Sequence, residues 1–194
     1  LIRSARAAAE ARRAPRLGVA VGPVEPDFGA IMQRMRERRA GISPNDSAQR
    51  LHRAGIHVFF GDAAFTSGRT LAVAGRPLRF NRAVIATGGR PTAPPVPGLA
   101  DVSYLTNETL FSLTELPRHL LVIGAGPIGC ELAQAFARFG SAVTMLHRAP
   151  HVLHREDPDA ASIVQRRLIA DGVRLELGVK LLEALSDRGQ VCLR

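Results

Sequence analysis

The sequence predicts an α/β fold, and three observations carry that expectation. Residues 119–147 read as apolar strand, glycine-rich turn, amphipathic helix and second strand in unbroken succession. Residues 1–55 read as connected helices, and residues 56–88 as short strands punctuated by glycine. Between these parts lies "RPTAPPVPGLA", too rich in proline to join a sheet and therefore a stiff connector. A first domain is expected over residues 1–100 and a second over 101–194.

The elements follow in order. "LIRSARAAAEARRA" has strong helix propensity and no breaker until Pro15 and Gly18. "PDFGAIMQRMRERRAG" places Phe28, Ile31, Met32 and Met35 at helical spacing, with Gly41 as the expected stop. A short third helix over "SPNDSAQRLHRAG" ends at Gly55. "IHVFFGDAAF" is β-rich, "RTLAVAG" and "RPLRFN" resemble an edge hairpin around Gly75, and "RAVIATGG" reads as a buried strand running into glycines. "HLLVI" is apolar at nearly every position, as a parallel strand covered on both faces would be. The helix after it carries Ile128, Leu132, Ala135, Phe136 and Phe139 on one stripe and stops at Gly140, before the strand "AVTMLH". A second amphipathic helix, "DPDAASIVQRRLIADG", leads into a further strand region.

Composition narrows the classes. With 46% hydrophobic residues in 194, the chain can build a core. Its longest apolar runs are too short to span a bilayer and no signal-like segment opens it, so a cytoplasmic protein is expected, with no membrane partner. The opening at Leu1, inside a helix-forming run, points to an internal piece of a longer protein. The net charge of +9 invites a nucleic-acid reading. Against it, Lys180 is the only lysine among 26 cationic residues, the arginines are spread along the whole chain, and no stacking aromatics lie between them. No nucleic-acid partner is expected. Cys130 and Cys192 have neither CxxC nor metal-ligand spacing, so no redox dithiol and no zinc site is read from them. His147, His151 and His154 lie without carboxylate or cysteine partners nearby, and no metal site is assigned to them.

The chemistry resides in "GAGPIG", with Gly124, Gly126 and Gly129. The first glycine permits a tight turn, the second lets backbone approach a pyrophosphate, and the third lets the helix pack close to its strand. The helix start then offers free N–H groups to the anion, and Pro127 suits a first helical position because its missing N–H costs nothing there. About twenty positions on, an NAD-binding fingerprint expects a carboxylate for the ribose hydroxyls. Here the strand ends in His147 and Arg148, and a guanidinium pairs with a 2′-phosphate where a carboxylate would repel it. NADP is favoured, while glycine and not alanine at the third position keeps NAD open.

"RAVIATGGRP", a proline-rich connector and "LVIGAGPIGCELAQAFARFGSAVTMLHRAPHVLHREDP" together resemble the middle of a flavoprotein of the pyridine nucleotide-disulfide oxidoreductase family. "GDAAFTSGRTLAVAGRPLRFNRAVIATGG" is similar to its glutathione reductase and mercuric reductase branch. The resemblance implies an FAD/NAD(P)-binding Rossmann-like architecture: a partial FAD domain followed by an inserted NAD(P)-binding domain, within a homodimeric enzyme. It implies FAD and NADP as cofactors, and hydride passing from nicotinamide to flavin and on to a disulfide or a metal ion such as Hg(II). Ala63 would present backbone to the adenine of FAD, and Thr87 with Gly88 would lie near the flavin and its pyrophosphate arm. Ile128 would sit in the second dinucleotide's turn, Glu131 would face the nicotinamide side of the flavin, and His147 with Arg148 would contact the adenosine ribose or its phosphate. The family's redox cysteine pair and catalytic histidine have no counterpart in this stretch, so no residue here is expected to be catalytic and the stretch alone is expected to be inactive. The alternative is a non-catalytic module that binds NAD(P) without flavin.

Overall fold

The computed structural model describes residues 1–187 and 190–194. They form two compact units, one of residues 1–35 with 91–194 and one of residues 36–90. The units follow packing and not chain order: the helices that open the chain belong with residues beyond the proline-rich segment.

In the larger unit, β4 (His119–Ile123), β5 (Ala142–His147) and β6 (Arg174–Leu177) form a parallel sheet in the order β4-β5-β6. His119 pairs with Ala142 and Ile123 with Leu146, while Thr144 pairs with Arg174 and His147 with Leu177. Helix α4 (Pro127–Phe139) crosses from β4 to β5 and α5 (Pro158–Ala170) from β5 to β6, the connections that parallel strands require. Gly140 at φ 117° and Asp157 accepting the N–H groups of Asp159 and Ala160 stop and start these helices.

The first helix, α1 (Ile2–Arg13), buries Ala5, Ala8 and Ala9. Alanines at helical spacing leave room for close approach, and α1 packs on α4. Phe28 and Met32, from the first turns of α2 (Phe28–Ile42), complete the core with Phe136, Phe139, Met145 and Leu168. The rings of Phe28, Phe136 and Phe139 meet edge-on or tilted, with centroids 5.7, 6.0 and 6.3 Å apart. A satellite cluster of Leu99, Val102 and Ala184 lies beside the two-stranded ribbon of β7 (Ala184–Asp187) and β8 (Gln190–Leu193).

The smaller unit contains α3 (Ala48–Arg53), capped by the Ser47 hydroxyl and followed by left-handed Gly55, and an antiparallel meander. Its strands are β1 (Ala63–Ser67), β2 (Thr70–Val73) and β3 (Arg76–Arg79). Ala74 and Gly75, both at positive φ, make the two-residue β2–β3 turn, whose twist matches that of the strands it joins.

Five local expectations are corrected. Gly41 does not end α2, which runs one residue further to Ile42. Residues 56–62 form no strand, and the β-rich segment is ordered as strand only from Ala63. "RAVIATGG" is neither strand nor buried: Val84 is 90% and Ile85 72% exposed, because no described strand lies alongside to accept its hydrogen bonds. "HLLVI" is a strand covered on one face only: Leu120 and Val122 are half-buried, whereas Leu121 and Ile123 on the other face line an open groove. The α4 stripe is also shifted. Ile128 is 55% exposed, and Cys130 and Ala133 are buried.

Candidate functional site

The glycine-rich turn leaves the sheet at the carboxyl end of β4, and each of its glycines has a different physical reason. Gly124 has φ 102°, a conformation that a side chain would strain, and its N–H donates to Leu146 O at 2.8 Å, extending the β4–β5 ladder by one residue. A Cβ on Gly129 would collide with the carbonyl oxygen of Gly124 and touch Val122, so only glycine lets α4 start this close to β4. Gly126 differs from both. Its backbone is extended, with φ −75° and ψ 179°, and an added Cβ would meet no atom within 4 Å. Nothing in the protein itself requires glycine there, and the space beside it is the cradle a closely approaching ligand would use.

Gly126 is the N-cap of α4 and has no side chain to satisfy the helix start, while Pro127 removes one donor from the first turn. The N–H groups of Ile128 and Gly129 are therefore left without a side-chain cap, and the helix dipole adds positive potential at this end. Gly124, Gly126, Ile128 and Gly129 line one end of a groove of about 950 Å³, which continues along the exposed apolar face of β4 past Ile123 and Leu121. A backbone cradle beside an apolar trough suits a ligand with an anionic centre and flat, weakly polar arms.

Ala125, fully buried, is held from three directions. Its N–H donates to Nδ1 of His147 at 3.3 Å, and its carbonyl accepts the Leu153 N–H at 2.8 Å and the Cys130 thiol at 3.5 Å. Leu153 sits at φ 51°, unusual for a branched residue, in the loop that folds back from β5 over the turn. His147 is 9% exposed, its Nε2 lying 3.2 Å from Nδ1 of His154. Burial first, and then the charges of His154, Arg148 and His151, hold His147 below the usual imidazole range. Burial, with Glu131 next to it, pushes the Cys130 thiol up to about 11, so it stays protonated at neutral pH and is no nucleophile.

Of the residues singled out from sequence, Gly124, Gly126, Ile128, Gly129 and His147 come together here. Arg148, the next residue along, is exposed and makes no ion pair among the described residues. Glu131 is exposed at the start of the second turn of α4, beside a shallow depression with Pro127, Leu153 and Glu156, and does not line the groove. Ala63, Thr87 and Gly88 belong to the smaller unit and are exposed. Ala63 begins β1, whereas Thr87 and Gly88 (φ 68°) lie in the unpaired segment, so these three do not by themselves build a flavin seat. Among the described residues no three His, Cys, Asp or Glu side chains are placed to hold a metal ion, and no helix is long and apolar enough to cross a membrane.

Three features were not read from the sequence. The contact of His154 with His147 and the left-handed backbone of Leu153 come from loop geometry that has no local signal. The third is Asp171, whose carboxylate, 4% exposed, gathers Arg13, Arg138 and Arg167 at 2.7, 2.6 and 2.9 Å and the Gln134 amide at 2.8 Å. Part of the chain's arginine excess is thereby a structural staple.

The chain is similar to several known reductases. A mercuric reductase of Lysinibacillus sphaericus is 37% identical over 131 residues, which cover 68% of this chain and 24% of that protein. One of Streptomyces lividans is 37% identical over 138 residues, 69% of this chain and 29% of that protein. The HOCl-induced flavoprotein disulfide reductase RclA of Escherichia coli, solved as its Cu(II) complex, superposes with TM-score 0.78 at 28% identity, over 100% of this chain and 42% of its own. A ferredoxin reductase of Rhodopseudomonas palustris superposes with TM-score 0.64 at 29% identity, over 75% of this chain and 38% of its own. The chain thus spans about a quarter of the mercuric reductases and less than half of the solved reductases it matches. Residues 6–193, the glycine turn among them, match the family described as pyridine nucleotide-disulphide oxidoreductase, and the chain belongs to that family.

Proposed function

We propose that this chain carries the nicotinamide-dinucleotide site of an FAD-dependent oxidoreductase that reduces a disulfide or a metal ion such as Hg(II), with NADPH as the preferred donor. The carrying observation is Gly126: an open space where a side chain would fit, at an uncapped helix start, beside an apolar groove. The pyrophosphate would lie against Gly124, Gly126 and Gly129, with Ile128 packing beside it. Arg148, exposed at the end of β5, would pair with the 2′-phosphate, with His147 behind it. Residues 1–100 are read as part of an FAD domain and 101–194 as the inserted nucleotide domain of a homodimer. FAD and the role of Glu131 beside it rest on family membership, as do Ala63, Thr87 and Gly88 as its contacts. Bound NADPH would supply hydride. The chain's own share is to orient the dinucleotide and exclude water from it.

A second reading, a dinucleotide-binding stretch without catalysis of its own, is favoured by Cys130: a buried thiol with a raised pKa cannot serve in a redox pair. Calorimetric titration with NADP⁺ and NAD⁺ tests the first reading. It requires binding, tighter for NADP⁺, with Arg148→Glu reversing the preference by about tenfold or more, the worth of a charge-assisted bidentate pair. Absence of binding by either nucleotide overturns it. NADPH-driven reduction of a disulfide or of Hg(II) by this chain supplied with FAD would overturn the second reading.

A further inference from the structure

Resting on the proposed dinucleotide site, we infer that His147 is its positioning residue: as a neutral imidazole it locks the glycine turn in the binding geometry, and its protonation unlocks it. The inference starts from a hydrogen-bond direction. The Ala125 N–H donates to Nδ1 of His147, so that nitrogen carries no proton. The ring's single proton is then on Nε2, 3.2 Å from Nδ1 of His154, which accepts it. A second proton can enter His147 only at Nδ1, where it would face the Ala125 N–H, donor against donor. Ala125 is fully buried, so no water can replace the lost acceptor.

The geometry makes this bond matter for the ligand. Ala125 lies between Gly124 and Gly126, and its carbonyl is already fixed by Leu153 and Cys130. The His147 bond holds the N–H of the Gly124–Ala125 peptide, just before the Ala125–Gly126 peptide that those two bonds hold, so the three together fix the backbone that leads into Gly126 and α4. His147 occupies the place near the end of the second strand where this kind of turn expects a carboxylate. Its ring points inward at the turn, leaving Arg148 outside.

The surroundings oppose protonation from every side that carries charge. The loop after β5 contributes Arg148, His151 and His154, all cationic or able to become so. From α4 comes Cys130, a neutral thiol, while the exposed Glu131 is not among the charges acting on the ring. From β6, Leu177 lies opposite His147, and Arg174 and Glu176 are paired with each other at 2.7 Å. The proline-led start of α5 carries Asp157, whose carboxylate caps the helix, and Asp159, and its Gln165 holds the Val152 N–H. The neutral state is therefore the resident one at neutral pH.

Two effects of acid on binding have opposite signs. An extra positive charge near a pyrophosphate would tighten binding, whereas an unlocked turn would weaken it. The test is calorimetry of NADP⁺ with the 194-residue chain from about pH 8 to about pH 5, across the imidazole range. It uses wild type, His147→Asn, whose amide oxygen stands in for Nδ1 without titrating, and His147→Phe, which has no acceptor. We expect His147→Phe to weaken binding about tenfold at all pH values, the effect of one unsatisfied buried N–H. His147→Asn should stay within about threefold of wild type at the alkaline end, and the ratio of wild-type to Asn Kd should rise about tenfold toward acid. Taking the ratio cancels titration of the nucleotide's own phosphate. An amide NMR signal of Ala125 that moves with the His147 titration in the free chain is the second expected readout. A Kd ratio that is flat or falls with acid overturns the inference, even if the amide moves, and leaves the dinucleotide site standing. Absence of NADP⁺ binding in all three proteins overturns the site itself, and the positioning role with it.

Discussion

Gly126 and Gly129 stand three residues apart, and identical substitutions at the two should fail in different ways. A methyl group on Gly129 would collide with the Gly124 carbonyl, which is backbone and cannot rotate away. Gly129→Ala is expected to lose about 1–3 kcal/mol of stability in urea unfolding, the usual cost of an overpacked contact. Gly126→Ala meets open space in extended backbone. Its urea midpoint should stay close to wild type while NADP⁺ affinity drops about tenfold or more, a loss of about 1.4 kcal/mol or greater. A Gly126→Ala protein that binds normally would show that the space is not where the ligand approaches. His147 adds a pH dependence at the same scale. Its folded pKa is lowered, so between the ordinary imidazole value and the folded one the unfolded chain holds more protons. Its contribution to stability is then complete above about pH 6.5 and declines as pH falls toward the folded value. Thermal midpoints of wild type should fall more steeply through that acidic window than those of His147→Asn. Parallel curves would assign the pH dependence to other groups.

Among the elements, α1, α4 and α5 are tied where no local pattern announces it. Arg13 and Asp171 are 158 residues apart in sequence, yet their side chains meet at 2.7 Å, with Arg138 and Arg167 on the same carboxylate. Removing that carboxylate leaves three guanidinium groups facing one another, one of them only 12% exposed. Asp171→Ala is expected to cost about 2–3 kcal/mol, below the full penalty for a wholly buried pair because Arg13 and Arg167 reach solvent. Urea unfolding at low and high salt measures it, and a loss below about 0.5 kcal/mol would reduce the cluster to surface pairing. The contrast with the turn is instructive. Strand, glycines, helix and strand over residues 119–147 were legible because each element carries its own periodicity and the helix its own stop, Gly140. The Asp171 staple and the packing of α1 on α4 were not, since long-range pairings write nothing into a local window. Leu153 escaped for a related reason: left-handed backbone is ordinarily signalled by Gly, Asn or Asp.

For the molecule as a whole, the apolar residues outnumber the surfaces that cover them, and this decides where its structure is firm. "RAVIATGG" was read as a buried strand because its pattern is that of one, but a strand is a property of its neighbours as much as of its sequence. Residues 82–90 donate no backbone hydrogen bond among the described residues, and Val84 and Ile85 lie open. The same holds for the outer face of β4, apolar in sequence and uncovered past Leu121 and Ile123. In contrast β5 is central in its sheet, with Val143 and Met145 buried, and α4 buries Phe136 completely. Amide hydrogen exchange should divide accordingly. The amides of β5 and of the second half of α4 are expected to be the slowest, exchanging only through opening of the larger unit. Those of residues 82–90 should exchange within about tenfold of unstructured peptide rates, with the β1–β3 meander between the two. If residues 82–90 were instead protected as strongly as β5, they would have to belong to a hydrogen-bonded ladder, and the open arrangement of that segment would be wrong. If exchange followed this order, addition of FAD would give a direct check on the flavin proposal. Slowing confined to residues 82–90 and β1 would place Thr87, Gly88 and Ala63 at the bound cofactor, and unchanged rates there would remove them from it.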